Sequence, residues 1–323
     1  MTFFSAHKIY NFMSKRTMFL GFSIILSIAS IALLTTKGLH YGIDFDGGTI
    51  VQVKYNAKAP MDKIRTLLKS AKSLPDASVS KFGSDDEVII RLDGSSSSFK
   101  SDVSETMEKI LKPSGSFEIR RVNMVGPKVG GELRSDGITA FVLSLIVIML
   151  YVSFRFDWRS AIASVVALAH DTLIALGALS LFSVDINLPI LAAILTLLGY
   201  SLNDTIIVFD RVRESLQTCK DETIEEVINE SVSKTLSRTM LTSLTVFLVV
   251  LTLYVFGGAI IHGFSFTMLV GVIIGTYSSV FVAASLLVVF KFSIKDFKAK
   301  ETAKIKRKKE KERMRAMYEK GTI

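Results

Sequence analysis

Two acids and one arginine stand where charge is expensive. Asp204 lies in a stretch, Ile186–Phe209, that carries no other Asp, Glu, Lys or Arg, and Asp171 lies beside His170 in a second, Ser160–Val184. Arg238 stands immediately before a third, Thr239–Phe290. A carboxylate inside an apolar membrane segment costs roughly 2.5–3.5 kcal/mol on insertion scales, and the usual reasons for keeping one are an ion path, a proton relay or an internal partner. Burial favours the neutral acid, a neighbouring guanidinium favours the carboxylate, and Arg keeps its proton throughout. An Asp–Arg pair that makes and breaks would thus take up and release a proton, tying proton flow to helix position. Each residue also has a purely structural reading. Asp204 is about five residues, or about 7–8 Å of helical rise, from the end of its stretch, where interfacial water could reach it. Asp171 could be held statically by Ser, Thr or Asn of a neighbouring helix, and Arg238 could be a plain cationic flank.

The elements that must position these residues follow from composition. The chain has 323 residues and is 49% hydrophobic, with mean hydropathy +0.42. Uncharged runs of this length point to the membrane, where about 20 apolar residues cross the hydrocarbon. The windows predict a polytopic α-helical membrane protein with six spans: 17–36, 137–155, 160–183, 187–209, 236–258 and 264–290. The last charge-free run is too long for one helix, and Gly257, Gly258 and Gly263 supply the turn that divides it. The first span exceeds the usual apolar length of a signal peptide and no clear A-x-A site follows, so an uncleaved anchor is expected. Lys8, Lys15, Arg16, Arg155, Arg159, Arg211 and Arg213 all fall on one side of these spans. The positive-inside rule makes that side the cytoplasm. Both termini (1–16 and 291–323) are then cytoplasmic, in a bacterial plasma membrane, and the large loop is periplasmic.

That loop, 37–136, has the pattern of one small α+β domain. Thr49–Tyr55 alternates like a half-buried strand. A helix runs from Pro60 to about Lys72, with Ile64, Leu67, Leu68 and Ala71 on one face. Ala77–Phe82 and Glu87–Leu92 form a hairpin around Gly83. Ser98–Leu111 is a second amphipathic helix and Ser116–Met124 a last strand. The order β-α-β-β-α-β is the ferredoxin-like split unit. The only cysteine, Cys219, lies outside this domain, which therefore holds no disulfide of its own.

Two glycine-rich joints bracket the domain, with Gly47 and Gly48 in one and Gly130 and Gly131 in the other. They are either loops that turn the chain into the membrane or a hinge pair on which the domain swings. Residues 210–234 predict one or two amphipathic helices at the cytoplasmic interface, with Asp221 and Glu222 suiting the start of the second. Gly271 and Gly275 form a GxxxG that permits close helix packing. The tail from Lys291 carries 13 Lys/Arg against 5 Asp/Glu. It reads as a solvated helix near anionic lipid; contact with RNA is the sharper alternative, but no RNA-binding motif accompanies the charge, and no nucleic-acid partner is expected.

Five segments, taken together and in order, resemble the SecF family, the smaller membrane subunits of bacterial SecD–SecF protein-export complexes. They are Gly42–Gly48 (GIDFDGG), Val125–Leu133 (VGPKVGGEL), Ala169–Asp171 (AHD), Leu198–Glu214 (LGYSLNDTIIVFDRVRE) and Leu236–Thr239 (LSRT). The resemblance covers nearly the whole chain. It implies half of a resistance–nodulation–division type assembly, completed by SecD, that assists the SecYEG channel and the SecA motor. The proton or sodium motive force would draw the preprotein outward. Membrane lipids and YajC are further partners it brings. It assigns Asp204 and Arg238 to the ion pathway and Asp171 to a supporting role.

A half-transporter exporting lipids or small apolar molecules is the alternative. It shares the six spans and the intramembrane acids, but such a pump would carry a larger soluble domain. An enzyme is not expected: His7, His40, His170 and His262 are scattered, and no nucleophile–base pattern or metal-ligand spacing appears. No cofactor, metal or catalytic residue is expected.

Overall fold

The computed structural model describes residues 9–71, 77–92, 103–219, 222–290 and 294–319. Lys8, the end of the first soluble helix at Lys72, the start of the second at Ser98, and Asp221 lie outside them.

Apolar alternation builds the soluble domain. Strands β1 (Gly48–Tyr55), β2 (Ala77–Phe82), β3 (Ser84–Leu92) and β4 (Phe117–Val125) form one antiparallel sheet in the order β2-β3-β1-β4. Helices α3 (Met61–Ser70) and α4 (Val103–Leu111) cross between them, as the split βαβ unit requires. The central strand β1 puts Val51, Val53 and Tyr55 inward, where they meet Ile64 and Leu68 of α3 and Met107 and Leu111 of α4. The Tyr55 hydroxyl reaches Ser114 Oγ at 2.7 Å, and burial pushes its phenol above the ordinary value. Gly83 turns the β2–β3 hairpin at φ 72°.

Six helices are long and apolar enough to cross a membrane. They begin with α1 (Arg16–Thr36), α5 (Pro127–Arg155), α6 (Trp158–Leu181) and α7 (Leu188–Thr218). Then come α8 (Ile224–Phe256) and α9 (Gly258–Ser278), the last passing through a π turn at Ser279–Ala283 into α10 (Ala284–Val289). A separate helix, α11 (Ile294–Glu319), carries the basic tail. The most apolar windows of α6, α7 and the α9–α10 span are 61%, 50% and 56% buried, against 11%, 11% and 17% for α1, α5 and α8. The first three therefore make the interior, and the others present apolar faces outward. The chain is a helical membrane protein.

Four helices overrun the limits read from hydropathy; one is α9, which starts at Gly258 so that Gly263 lies inside it rather than in the turn. Helix α5 starts at Pro127, whose missing N–H suits a first helical position; its first turns contain Gly130 and Gly131. Residues 210–218 simply continue α7, since no Gly or Pro stops the ladder there. Helix α8 begins with a capping box at Thr223 and Glu226 and runs unbroken past Arg238. The polar 210–234 segment is thus the extended base of two spans, not a helix lying on the surface. Its apolar residues Val212, Leu216, Val227, Ile228 and Val232 are buried together with Met13. The Met13 N–H donates to Asn229 Oδ1 at 2.9 Å, and Arg16 pairs with Glu225.

A short helix, α2 (Ile43–Asp46), joins α1 to the sheet and packs against the start of α5. Gly47 and Gly48 have φ of 78° and 129°. A Cβ on Gly47 would come within 2.8 Å of Pro127 Cα, and one on Gly130 within 2.8 Å of the Phe45 carbonyl oxygen. The two joints therefore touch each other. Gly131 faces open space.

Candidate functional site

The interior helices converge on the two acids. Asp171, on α6, is 1% exposed. Its Oδ2 accepts hydrogen bonds from Ser201 Oγ of α7 at 2.6 Å and from Ser278 Oγ, at the end of α9, at 2.7 Å. Its Oδ1 lies 2.9 Å from His170 Nδ1. All three interior spans thus hold one carboxylate. Gly275 makes this possible: its Cα side lies so close that an added Cβ would sit 3.2 Å from Ser201 Cβ and 3.6 Å from Asp171 Oδ2. One turn earlier, Gly271 packs on the Leu197 side chain. The GxxxG face is therefore turned onto α7 at the level of the acids, which small residues at i and i+4 allow.

Asp204, on α7, is fully buried, yet it is held from one side only. Its Oδ2 accepts from Ser243 Oγ of α8 at 3.2 Å, and its Oδ1 has no partner among the described residues. Behind Ser243 stands Thr276 of α9. Its Oγ1 lies 2.8 Å from Ser243 Oγ and 2.7 Å from the Val272 carbonyl, so its single proton serves one of them at a time. The Tyr200 hydroxyl is buried without a hydrogen bond of good geometry, close to Ser243, Thr276 and Asp204. Ser201 and Asp204 are three residues apart and share a face of α7, so one helix serves both acids.

The structure does not bring Arg238 to Asp204. Arg238 is exposed on α8, and its guanidinium makes no ion pair among the described residues. Thr239 and Ser243 are the residues that α8 turns inward. At 100° per residue, Arg238 and Ser243 are about 140° apart around the helix, so they cannot face the same carboxylate in one orientation. Among the described residues no group of His, Cys, Asp and Glu could hold a metal ion.

The acids and the arginine were visible in the sequence as charges in apolar windows. Ser201, Ser243, Thr276 and Ser278 were not singled out there. The available signal was their place, as hydroxyls in charge-free spans that share a face with an acid or with a GxxxG pair. Cys219 is buried, its thiol 3.3 Å from the Leu216 carbonyl.

The chain has clear relatives among known proteins. Residues 106–293 match the family model of the protein export membrane protein SecD/SecF C-terminal region, and residues 32–59 match the SecD/SecF GG motif. The chain is 46% identical to the protein translocase subunit SecF of Helicobacter pylori strain 26695, covering 100% of both chains. It is 44% identical to that of Vibrio alginolyticus over 87% of this chain and 90% of the other. Identity to the SecF of Escherichia coli O157:H7 is 38%, over 86% and 87%. It superposes on the crystal structure of SecDF from Thermus thermophilus, a translocon-associated membrane protein, with TM-score 0.81 and 32% identity, over 90% of this chain but only 40% of that one. On SecDF in its Super-membrane-facing form the TM-score is 0.66. Full-length identity, the matching family models and the six-span fold establish that the chain belongs to the SecF family of protein translocase subunits.

Proposed function

We propose that this chain is the SecF half of an ion-driven export machine, and that Asp204 and Arg238 couple ion flow to movement of its helices. The observation that carries the reading is the Asp204 carboxyl, fully buried, with one hydroxyl on one oxygen and, among the described residues, no donor on the other. A group left this open accommodates both protonation states, whereas a fully bonded carboxylate is committed to one. Arg238 supports a partner chain. It stands on the least covered side of the sequence's last-but-one span, where a guanidinium within a membrane helix calls for an acid from outside the chain. The chain's correspondence to only 40% of the SecDF chain supports SecD as that partner. Rotation of α8 by about 140°, together with an axial shift or the reach of the long Arg238 side chain over about 7.5 Å of rise, would exchange Ser243 for Arg238 at Asp204.

In this reading the soluble domain is periplasmic and both termini are cytoplasmic. Gly47, Gly48, Gly130 and Gly131 serve as the hinge. The lower match to the Super-membrane-facing form (0.66 against 0.81) supports a family in which parts are rearranged. Preprotein leaving SecYEG, delivered by SecA, is the load; H⁺ or Na⁺ is the drive. Asp171 is the fixed point that keeps α6, α7 and α9 in register while α8 moves.

The test is preprotein translocation into membrane vesicles with and without a proton gradient. Asp204→Asn and Arg238→Met are each expected to abolish the stimulation by the gradient while the protein remains inserted and complexed. Normal stimulation in Asp204→Asn would end this reading.

A further inference from the structure

Between α5, α6 and α7, at the end of the bundle that carries the soluble domain, an open cavity of about 190 Å³ is lined by Tyr41, Phe45, Phe141, Leu176 and Ile194 with Arg134. Arg134 lies at its rim, its guanidinium 4.1 Å from the centre of the Tyr41 ring. No acid pairs with it among the described residues. Arg134 sits just before Gly137, where the charge-free run of α5 begins. The cation is therefore at headgroup level, and the cavity continues below it into hydrocarbon depth.

We infer that this cavity seats the headgroup-proximal part of one acyl chain of an anionic phospholipid whose phosphate rests on Arg134, the rest of the chain lying in the bilayer. The walls say what kind of occupant fits. They are apolar side chains, and the nearby backbone groups are already used: the Gly42 N–H donates to the Ile186 carbonyl at 2.7 Å and the Ile186 N–H to the His40 carbonyl at 2.8 Å. An extended peptide would find no backbone partners here and would bury its own amides unpaired. The cavity holds less than one turn of a helix about 10 Å across, so a partner's helix does not enter it. A hydrocarbon chain needs no hydrogen bonds, and an arginine over its polar end supplies planar, bidentate phosphate recognition. The floor includes Thr172, next in the chain to Asp171, so the bound lipid would lie against the helix that carries the fixed acid.

The experiment uses the full chain, purified with its partner subunit into nanodiscs of mixed phosphatidylglycerol and phosphatidylethanolamine. After mild delipidation, native mass spectrometry counts the lipids retained. The wild type is expected to keep phosphatidylglycerol in preference. Arg134→Gln should reduce that preference about fivefold, the factor expected for one basic residue at an anionic surface. Leu176→Phe fills the cavity and should lower retention of both lipids, while Leu176→Ala, which enlarges it, retains them. A photoreactive residue at position 138, on the cavity wall, should label lipid. Wild-type retention in both Arg134→Gln and Leu176→Phe would overturn the inference. So would labelling of the partner subunit or of exported chain from position 138, which would assign the cavity to a protein occupant.

Discussion

Asp171 and Asp204 are acids of the same type on neighbouring interior helices, and the bundle treats them differently. Asp171 receives two serines and a histidine, one from each of the interior spans. Asp204 receives one serine from an outer helix and leaves an oxygen bare. Buried polar groups are normally satisfied, and an exception in a native fold calls for an explanation. The contrast teaches that position in the bundle, not residue type, separates a carboxylate held from three helices from one left half-bonded. The acid that ties three interior helices together cannot change its bonding without loosening them. The acid that faces α8 has only Ser243 to give up, and α8 is one of the three outer helices.

Exchanging the two acids for neutral residues is the direct way to break this comparison. Asp204→Asn should remove the whole gradient response of translocation while the melting temperature of the purified complex moves by only a few degrees. Asp171→Leu should do the reverse first. It strands Ser201, Ser278 and His170, each a loss of about 1–3 kcal/mol, and the complex should melt far lower or fail to accumulate. Asp171→Asn, which keeps an acceptor for the serines, should recover much of that loss. Equal melting temperatures for Asp171→Leu and Asp204→Leu would collapse the distinction.

A smaller effect should come from Gly275→Val, which pushes α9 away from Ser201 and Asp171 at an overpacking cost of about 1–3 kcal/mol. Ser243→Ala removes the single hydroxyl on Asp204 and should lower stability by about 1 kcal/mol, measured by denaturant unfolding in detergent. The smallest change concerns an exposed acid. Asp85 is held below its ordinary value of 3.8, first by its hydrogen bond from Lys81, at 2.5 Å. A depressed folded-state value means the contribution is present above the ordinary value and lost as pH falls through the depressed one. The difference in melting temperature between wild type and Asp85→Asn should therefore shrink between pH 6 and pH 3.

The sequence announces elements better than their ends. Periodicity found each strand of the sheet because a half-buried strand must alternate, and β2 was read to its last residue. Hydropathy found six spans, but α5, α8 and α9 begin before the windows and α7 ends after its own. A window reports where a helix is apolar, whereas the helix ends where its hydrogen-bond ladder ends. Gly130 and Gly131 read as loop residues because glycine marks loops, but they lie in the first turns of α5, where the Phe45 carbonyl comes too close to Gly130 for a side chain. The acids of the site were legible as costly charges. Their donors were not, since Ser278 lies 107 residues from Asp171 in the chain, and serine alone in a membrane span is unremarkable. The orientation of Arg238 away from Asp204 was also hidden, because it depends on which face of α8 the bundle claims.

The touching glycine joints have a mechanical consequence. Strand β1 begins at Gly48 and β4 ends at Val125, and these two residues are paired across the sheet. Both leads from the soluble domain to the membrane thus leave from one point, beside the contact of Gly47 with Pro127. A load applied to the far side of the domain reaches the bundle through a single fulcrum. It does not shear β1 against β4, because both are anchored at the same end. The domain can act as a rigid lever, and the torque it delivers arrives at the base of α5 and, through the hydrogen bond between Asp44 and the Leu188 N–H, at the first turn of the helix that carries Asp204.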